Sequence, residues 1–247
     1  MNPQTILPFV STVIMIVFTA SVLERYLARR KLHFLFWGIG LAMFGAGSFA
    51  EAYFAVAGWS APVFFIWYLF GAALNAGWIG HGTLLLLTRR RWVHVLTGLL
   101  LVGSLAAAFL MIQLMPRLDA SAFDASLPIS EQYRAIMPSI AEGATVRLTT
   151  PFFNIYGLIT LVGGALWSAW LFLKKQILPN RVVGNVLIAA GALSIGLAST
   201  ATRLGYGQFL YLGELVAAAL MYAGFRFAAA PATEAERLVA VETAGAG

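Results

Sequence analysis

Residues 92–115 read WVHVLTGLLLVGSLAAAFLMIQLM, a run without one Asp, Glu, Lys or Arg, framed by Arg89-Arg90-Arg91 before it and Pro116-Arg117 after it. At 1.5 Å per residue such a run forms a helix about 36 Å long, enough to cross a hydrocarbon layer of about 30 Å. The rest of the chain has the same texture. Of 247 residues, 60% are apolar and 11% are charged, against roughly a quarter charged in an ordinary soluble domain. A soluble fold has no interior large enough for that much hydrocarbon, so the solvent for most side chains is lipid.

The expected fold class is therefore all-α: a polytopic integral membrane protein, a seven-transmembrane helix bundle occupying residues 1–228. Its spans are placed at about 5–24, 33–56, 62–88, 92–115, 150–173, 182–204 and 208–227. A long connection, 116–149, and a short tail, 229–247, complete the chain. The first apolar run lacks a basic segment before it and a small-residue cleavage site after it, so it reads as an anchor helix.

The net charge of +6 is explained by topology and gives no reason to expect a nucleic-acid partner. Arg25, Arg29, Arg30 and Lys31 follow the first span, Arg89 to Arg91 the third, Lys174, Lys175 and Arg181 the fifth, and Arg226 the seventh. With Arg237, twelve of the sixteen cationic residues share one side, which predicts a cytoplasmic carboxyl terminus and an amino terminus outside, in the plasma (cytoplasmic) membrane. The long connection then faces outward. Within it Ile129, Tyr133, Ile136, Met137 and Ile140 recur at helical spacing behind Ser130 as a cap, predicting an amphipathic helix over 129–142 on the outer surface, where it lids a cavity or rests on the helix ends.

An internal echo accompanies this layout. Pro8-Phe9, Gly47 with Glu51, and Tyr68-Leu69 recur in order as Pro151-Phe152, Gly196 with Thr200, and Tyr211-Leu212. Spans 1–3 then correspond to spans 5–7 as a parallel 3+1+3 pseudo-repeat, with a binding site expected between the halves.

Ionisable and polar groups at membrane depth are the candidates for chemistry. Glu214 falls about 9 Å inside the outer boundary of span 7, and Asn75 in span 3 falls near the same depth. Glu51 and Arg203 come out near the outer edge, with Asn154 and Tyr68, and a shared Arg203 would offset the cost of burying either glutamate as an anion. Trp78 and Tyr211 are positioned to line an interior site, whereas the other tryptophans read as interfacial belts. The ligand-binding set is thus Glu214, Glu51, Arg203, Asn75, Asn154, Trp78, Tyr68 and Tyr211. His81, between Gly80 and Gly82, is the one histidine deep enough to consider for a metal, but close helix packing is the commoner use of such glycines. No cofactor is implied, and the chain has no cysteine, which removes disulfides and thiolate ligands.

Seven spans with this orientation resemble the topology of microbial rhodopsins, and the 3+1+3 echo resembles small sugar transporters. A retinal Schiff base requires a lysine in the seventh span. Lys31, Lys174 and Lys175, the only lysines, all lie in connections, so a covalent retinal chromophore is excluded. The histidine and aspartate set of seven-helix zinc-dependent lipid hydrolases is also missing. The expected function is small-molecule binding, as a transporter or receptor-like sensor with an outward-facing pocket among spans 2, 3, 6 and 7. The alternative is a structural or accessory subunit that packs against a second copy or a partner membrane subunit, and an intramembrane enzyme ranks third.

Overall fold

The computed structural model describes residues 3–174 and 179–230, without the side chains of residues 3–5, 179, 203 and 208. Eight helices are present among the described residues: α1 (Pro3–Arg29), α2 (Leu32–Ala57), α3 (Ala61–Leu87), α4 (Trp92–Leu114), α5 (Ile129–Ile136), α6 (Val146–Lys174), α7 (Pro179–Arg203) and α8 (Leu210–Ala229). All but α5 are long and apolar enough to cross a membrane. The chain is a helical membrane protein.

Neighbours along the chain pack as α1–α2, α2–α3, α6–α7 and α7–α8, and two further contacts, α3–α6 and α8–α1, close a ring of six helices. Helix α4 stands outside that ring against α3 and α6. Its sequence explains the position. Leu99, Val102, Leu105, Phe109 and Ile112 are exposed on successive turns, and a helix that is apolar all round satisfies lipid as well as protein.

Glycine sets the closest approaches. Gly47 of α2 and Gly71 of α3 face each other so tightly that a Cβ on Gly47 would lie 2.5 Å from the Gly71 Cα. Gly184 and Gly224 join α7 to α8 in the same way. Absent side chains at such positions let helix backbones touch, which is how helices associate where lipid removes the hydrophobic driving force.

Two spans contain wide turns, Trp67–Leu74 in α3 and Ile159–Gly163 in α6, where the helix adopts π geometry. Helix α3 is the most enclosed span and is tied to three neighbours by polar side chains. Trp37 Nε1 of α2 donates to Thr83 Oγ1 at 3.1 Å, Trp78 Nε1 donates to Ser104 Oγ of α4 at 3.1 Å, and Asn154 Nδ2 of α6 donates to the Ala72 carbonyl at 3.0 Å. The last bond satisfies a carbonyl within the wide turn, where regular i to i−4 pairing is interrupted.

The expected 129–142 helix is shorter than its periodicity predicts. It ends at Ile136 because Met137 precedes Pro138, and a residue before proline is pushed toward extended backbone; Met137 has φ −94° and ψ 138°. Ser130 is not its cap, since Pro128 holds that position and the Ser130 hydroxyl makes no hydrogen bond. Ile129, Ile136 and Met137 are buried in the main core cluster with Trp67 and Tyr68, so α5 is docked onto the helix ends.

Candidate functional site

The close approach of Gly47 and Gly71 fixes what lies one turn away on each helix. Because α2 and α3 run antiparallel, Glu51, four residues after Gly47, comes level with Trp67, four residues before Gly71. Trp67 Nε1 donates a hydrogen bond of 3.1 Å to Glu51 Oε1. On the other side of the ring, Gly213 presses α8 against Ala198 of α7, and the Ser194 hydroxyl bonds the Gly213 carbonyl at 3.3 Å. The next residue, Glu214, is turned about 100° around the helix and points into the ring.

Glu51 and Glu214 meet there, with their carboxyl groups close enough to interact directly. Both are buried, at 3% and 9% exposure. Glu51 Oε2 and Glu214 Oε2 are enclosed and find no donor among the described residues. Two carboxylates are acceptors only, so a contact between them requires a proton on one. The arrangement suits a carboxyl–carboxylate pair that shares a proton inside the helix bundle.

The pair lies beneath an aromatic layer. Tyr211, one turn before Glu214 and 4% exposed, lies in the neighbourhood of both carboxyl groups and of Ile129 at the start of α5. Tyr133 of α5 packs on Trp67 and Tyr68, with ring centroids 5.9 and 6.2 Å apart. Glu131 leans against Gly207, whose missing side chain leaves room for it. Thus α5 closes the end of the bundle above the acidic pair.

The remaining expected site residues divide. Tyr68 adjoins the pair through the aromatic layer, and its hydroxyl is 3.2 Å from Thr150 Oγ1 of α6. Asn154 serves the wide turn of α3. Asn75 bonds its own helix, donating to the Gly71 carbonyl at 2.8 Å and accepting from the Ala76 amide. Trp78, stacked on Phe36 at 5.1 Å, sits about 16 Å along α3 from Trp67. The Arg203 side chain lies outside the described residues. Glu51, expected near the outer edge of the hydrocarbon, is enclosed among helices.

Trp67 and Tyr133 are the residues that sequence reasoning left out. A tryptophan near a span end carries the signature of an interfacial belt, and nothing local distinguishes one that turns inward.

His81 is fully buried and both ring nitrogens are occupied. Thr97 Oγ1 donates to the Val93 carbonyl at 2.9 Å, so it must accept from His81 Nε2 at 2.8 Å. Nδ1 lies 2.6 Å from the Tyr156 hydroxyl, and a neutral ring protonated at Nε2 satisfies both bonds. The ring joins α3 to α4 and α6, and no cluster of three metal-ligating side chains occurs among the described residues.

Comparison with protein-family models, curated proteins and solved structures gives no match to this chain. Fold and site together define its class: a helical membrane protein with a buried acidic pair at the heart of the bundle.

Proposed function

We propose that this protein binds small organic cations in exchange for a proton and works as a transporter or a receptor-like sensor in the plasma membrane. The contact between Glu51 and Glu214 carries the proposal. A buried pair holding one net negative charge attracts either a second proton or a cation, and it loses its own proton more readily when a cation enters. Trp67, Tyr68, Tyr133 and Tyr211 supply ring faces suited to a lipophilic cation. Access requires α5 to lift from the helix ends, on the side that the charge distribution assigns to the outside. The ring contacts support the 3+1+3 reading as well, because exchanging spans 1–3 with spans 5–7 turns the α3–α6 contact into α8–α1.

Binding of tetraphenylphosphonium to the purified protein across a pH series tests this function. Affinity should rise with pH, with one proton released per cation bound in weak buffer, and both Glu51→Gln and Glu214→Gln should abolish the release. Binding that ignores pH, or survives both substitutions, overturns the proposal. The alternative, an accessory subunit in which the pair only clasps α2 to α8, expects no release in any variant.

A further inference from the structure

Two connections far apart in sequence converge at the basic end of the bundle. Residues 30–31, between α1 and α2, and residues 88–91, between α3 and α4, border an open hollow of about 450 Å³ whose wall includes Arg30, Lys31, His33, Arg89, Arg90 and His94. Topology rules require basic residues in these connections, but not that two connections share one hollow. No acidic side chain lines it, and no ion pair among the described residues neutralises its cations.

Arg30 adds an independent observation. Its backbone φ is +51°, the only positive value at a non-glycine position among the described residues. That left-handed conformation ends α1 at Arg29 and turns the chain toward α2, which sets Arg30 beside Lys31 at the hollow.

The hollow is also amphipathic in the direction of the bilayer. Leu32 and Leu86 belong to its wall and are about half exposed, and Trp92 beyond its rim is exposed to the same degree. Exposed cationic side chains therefore adjoin exposed apolar ones around a single hollow.

We propose that this cavity binds the phosphate-bearing headgroup of an anionic phospholipid, with Arg30, Lys31, Arg89 and Arg90 around the phosphate and an acyl chain along Leu32 and Leu86. Free phosphate carries the same charge but gains nothing from the apolar rim, so the rim favours the lipid.

The test is thermal unfolding of the full chain in detergent, titrated with dihexanoyl-phosphatidylglycerol, dihexanoyl-phosphatidylcholine or sodium phosphate. Phosphatidylglycerol should stabilise the protein saturably, and the effect should weaken with added sodium chloride. Removing two cavity charges in R89Q/R90Q should weaken apparent affinity roughly twenty-five-fold, about five-fold per basic residue near an anionic headgroup. R91Q takes a charge from the same connection but not from the cavity wall, and should keep nearly full affinity. R30Q provides a second cavity variant should the double variant not fold. Equal stabilisation by phosphatidylcholine, equal loss in R91Q, or full reproduction by sodium phosphate alone overturns the proposal.

Discussion

Trp67 donates its indole N–H to Glu51 Oε1 across 3.1 Å, and it is the only side-chain hydrogen bond from outside the acidic pair that reaches it among the described residues. Trp67 thereby orients the Glu51 carboxyl toward Glu214.

Trp67→Phe should leave Glu51 Oε1 buried without a donor, at a cost of about 1–3 kcal/mol. Denaturant unfolding in detergent measures it. In a Glu51→Leu background the same substitution should cost far less, because the acceptor is gone. An equal cost in both backgrounds would assign the loss to packing alone.

Gly47→Ala should be destabilising by about 1–3 kcal/mol, since the added Cβ meets the Gly71 backbone. Gly98→Ala is the control. A Cβ at Gly98 has nothing within 4 Å, so the gain in helix propensity should leave stability unchanged or raise it by up to about 1 kcal/mol. Similar losses at both positions would contradict the contact that aligns Glu51 with Trp67.

How far the sequence discloses this arrangement differs from residue to residue. Composition and span length suffice for a helical membrane protein, because lipid imposes both on the chain. The inward face of Glu214 is also legible: Leu210, Tyr211, Ala217 and Ala218, its helical neighbours, are all buried. The partner of Glu214 is not legible, since depth counting gives a level along the axis but no rotation of α2 about its own. The wide turn at Trp67–Leu74 has no signature in its residues, yet it is where Trp67 and Tyr68, adjacent in sequence, turn to α2 and α6 respectively. Asn75, expected to share a polar layer with α8, is drawn into the end of that turn.

Tyr156→Phe removes the donor to His81 Nδ1 and should destabilise the bundle by about 1–3 kcal/mol. Nitrogen NMR of labelled histidine should show the Nε2–H tautomer at His81 in the unsubstituted protein. Finding the Nδ1–H tautomer would reverse the hydrogen-bond directions assigned to Thr97 and Tyr156.

In the connection that carries α5, Asp119, Asp124 and Glu142 accept hydrogen bonds from the Ser121, Ser126 and Ser139 amides at 2.9, 2.8 and 2.7 Å. The Ser121 and Ser126 hydroxyls, at 2.6 and 2.7 Å, together with these amides hold Asp119 and Asp124 below their ordinary value of 3.8, and the Ser139 amide first, with its hydroxyl, holds Glu142 below 4.5. A lowered folded-state value contributes stability above the ordinary value, and that contribution disappears as pH falls through the lowered one. Amide exchange at Ser121, Ser126 and Ser139, corrected for intrinsic rates, should therefore accelerate as pH drops below about 4. Protection that persists after all three carboxyls are protonated would contradict this.

The proposal that Glu51 and Glu214 share a proton is tested most directly by infrared spectroscopy of the purified protein at neutral pH. A protonated carboxyl C=O band should be present, be displaced or lost in Glu51→Gln and in Glu214→Gln, and vanish in the double variant. A spectrum without that band, or a band unchanged in all three variants, would contradict the proton-holding pair.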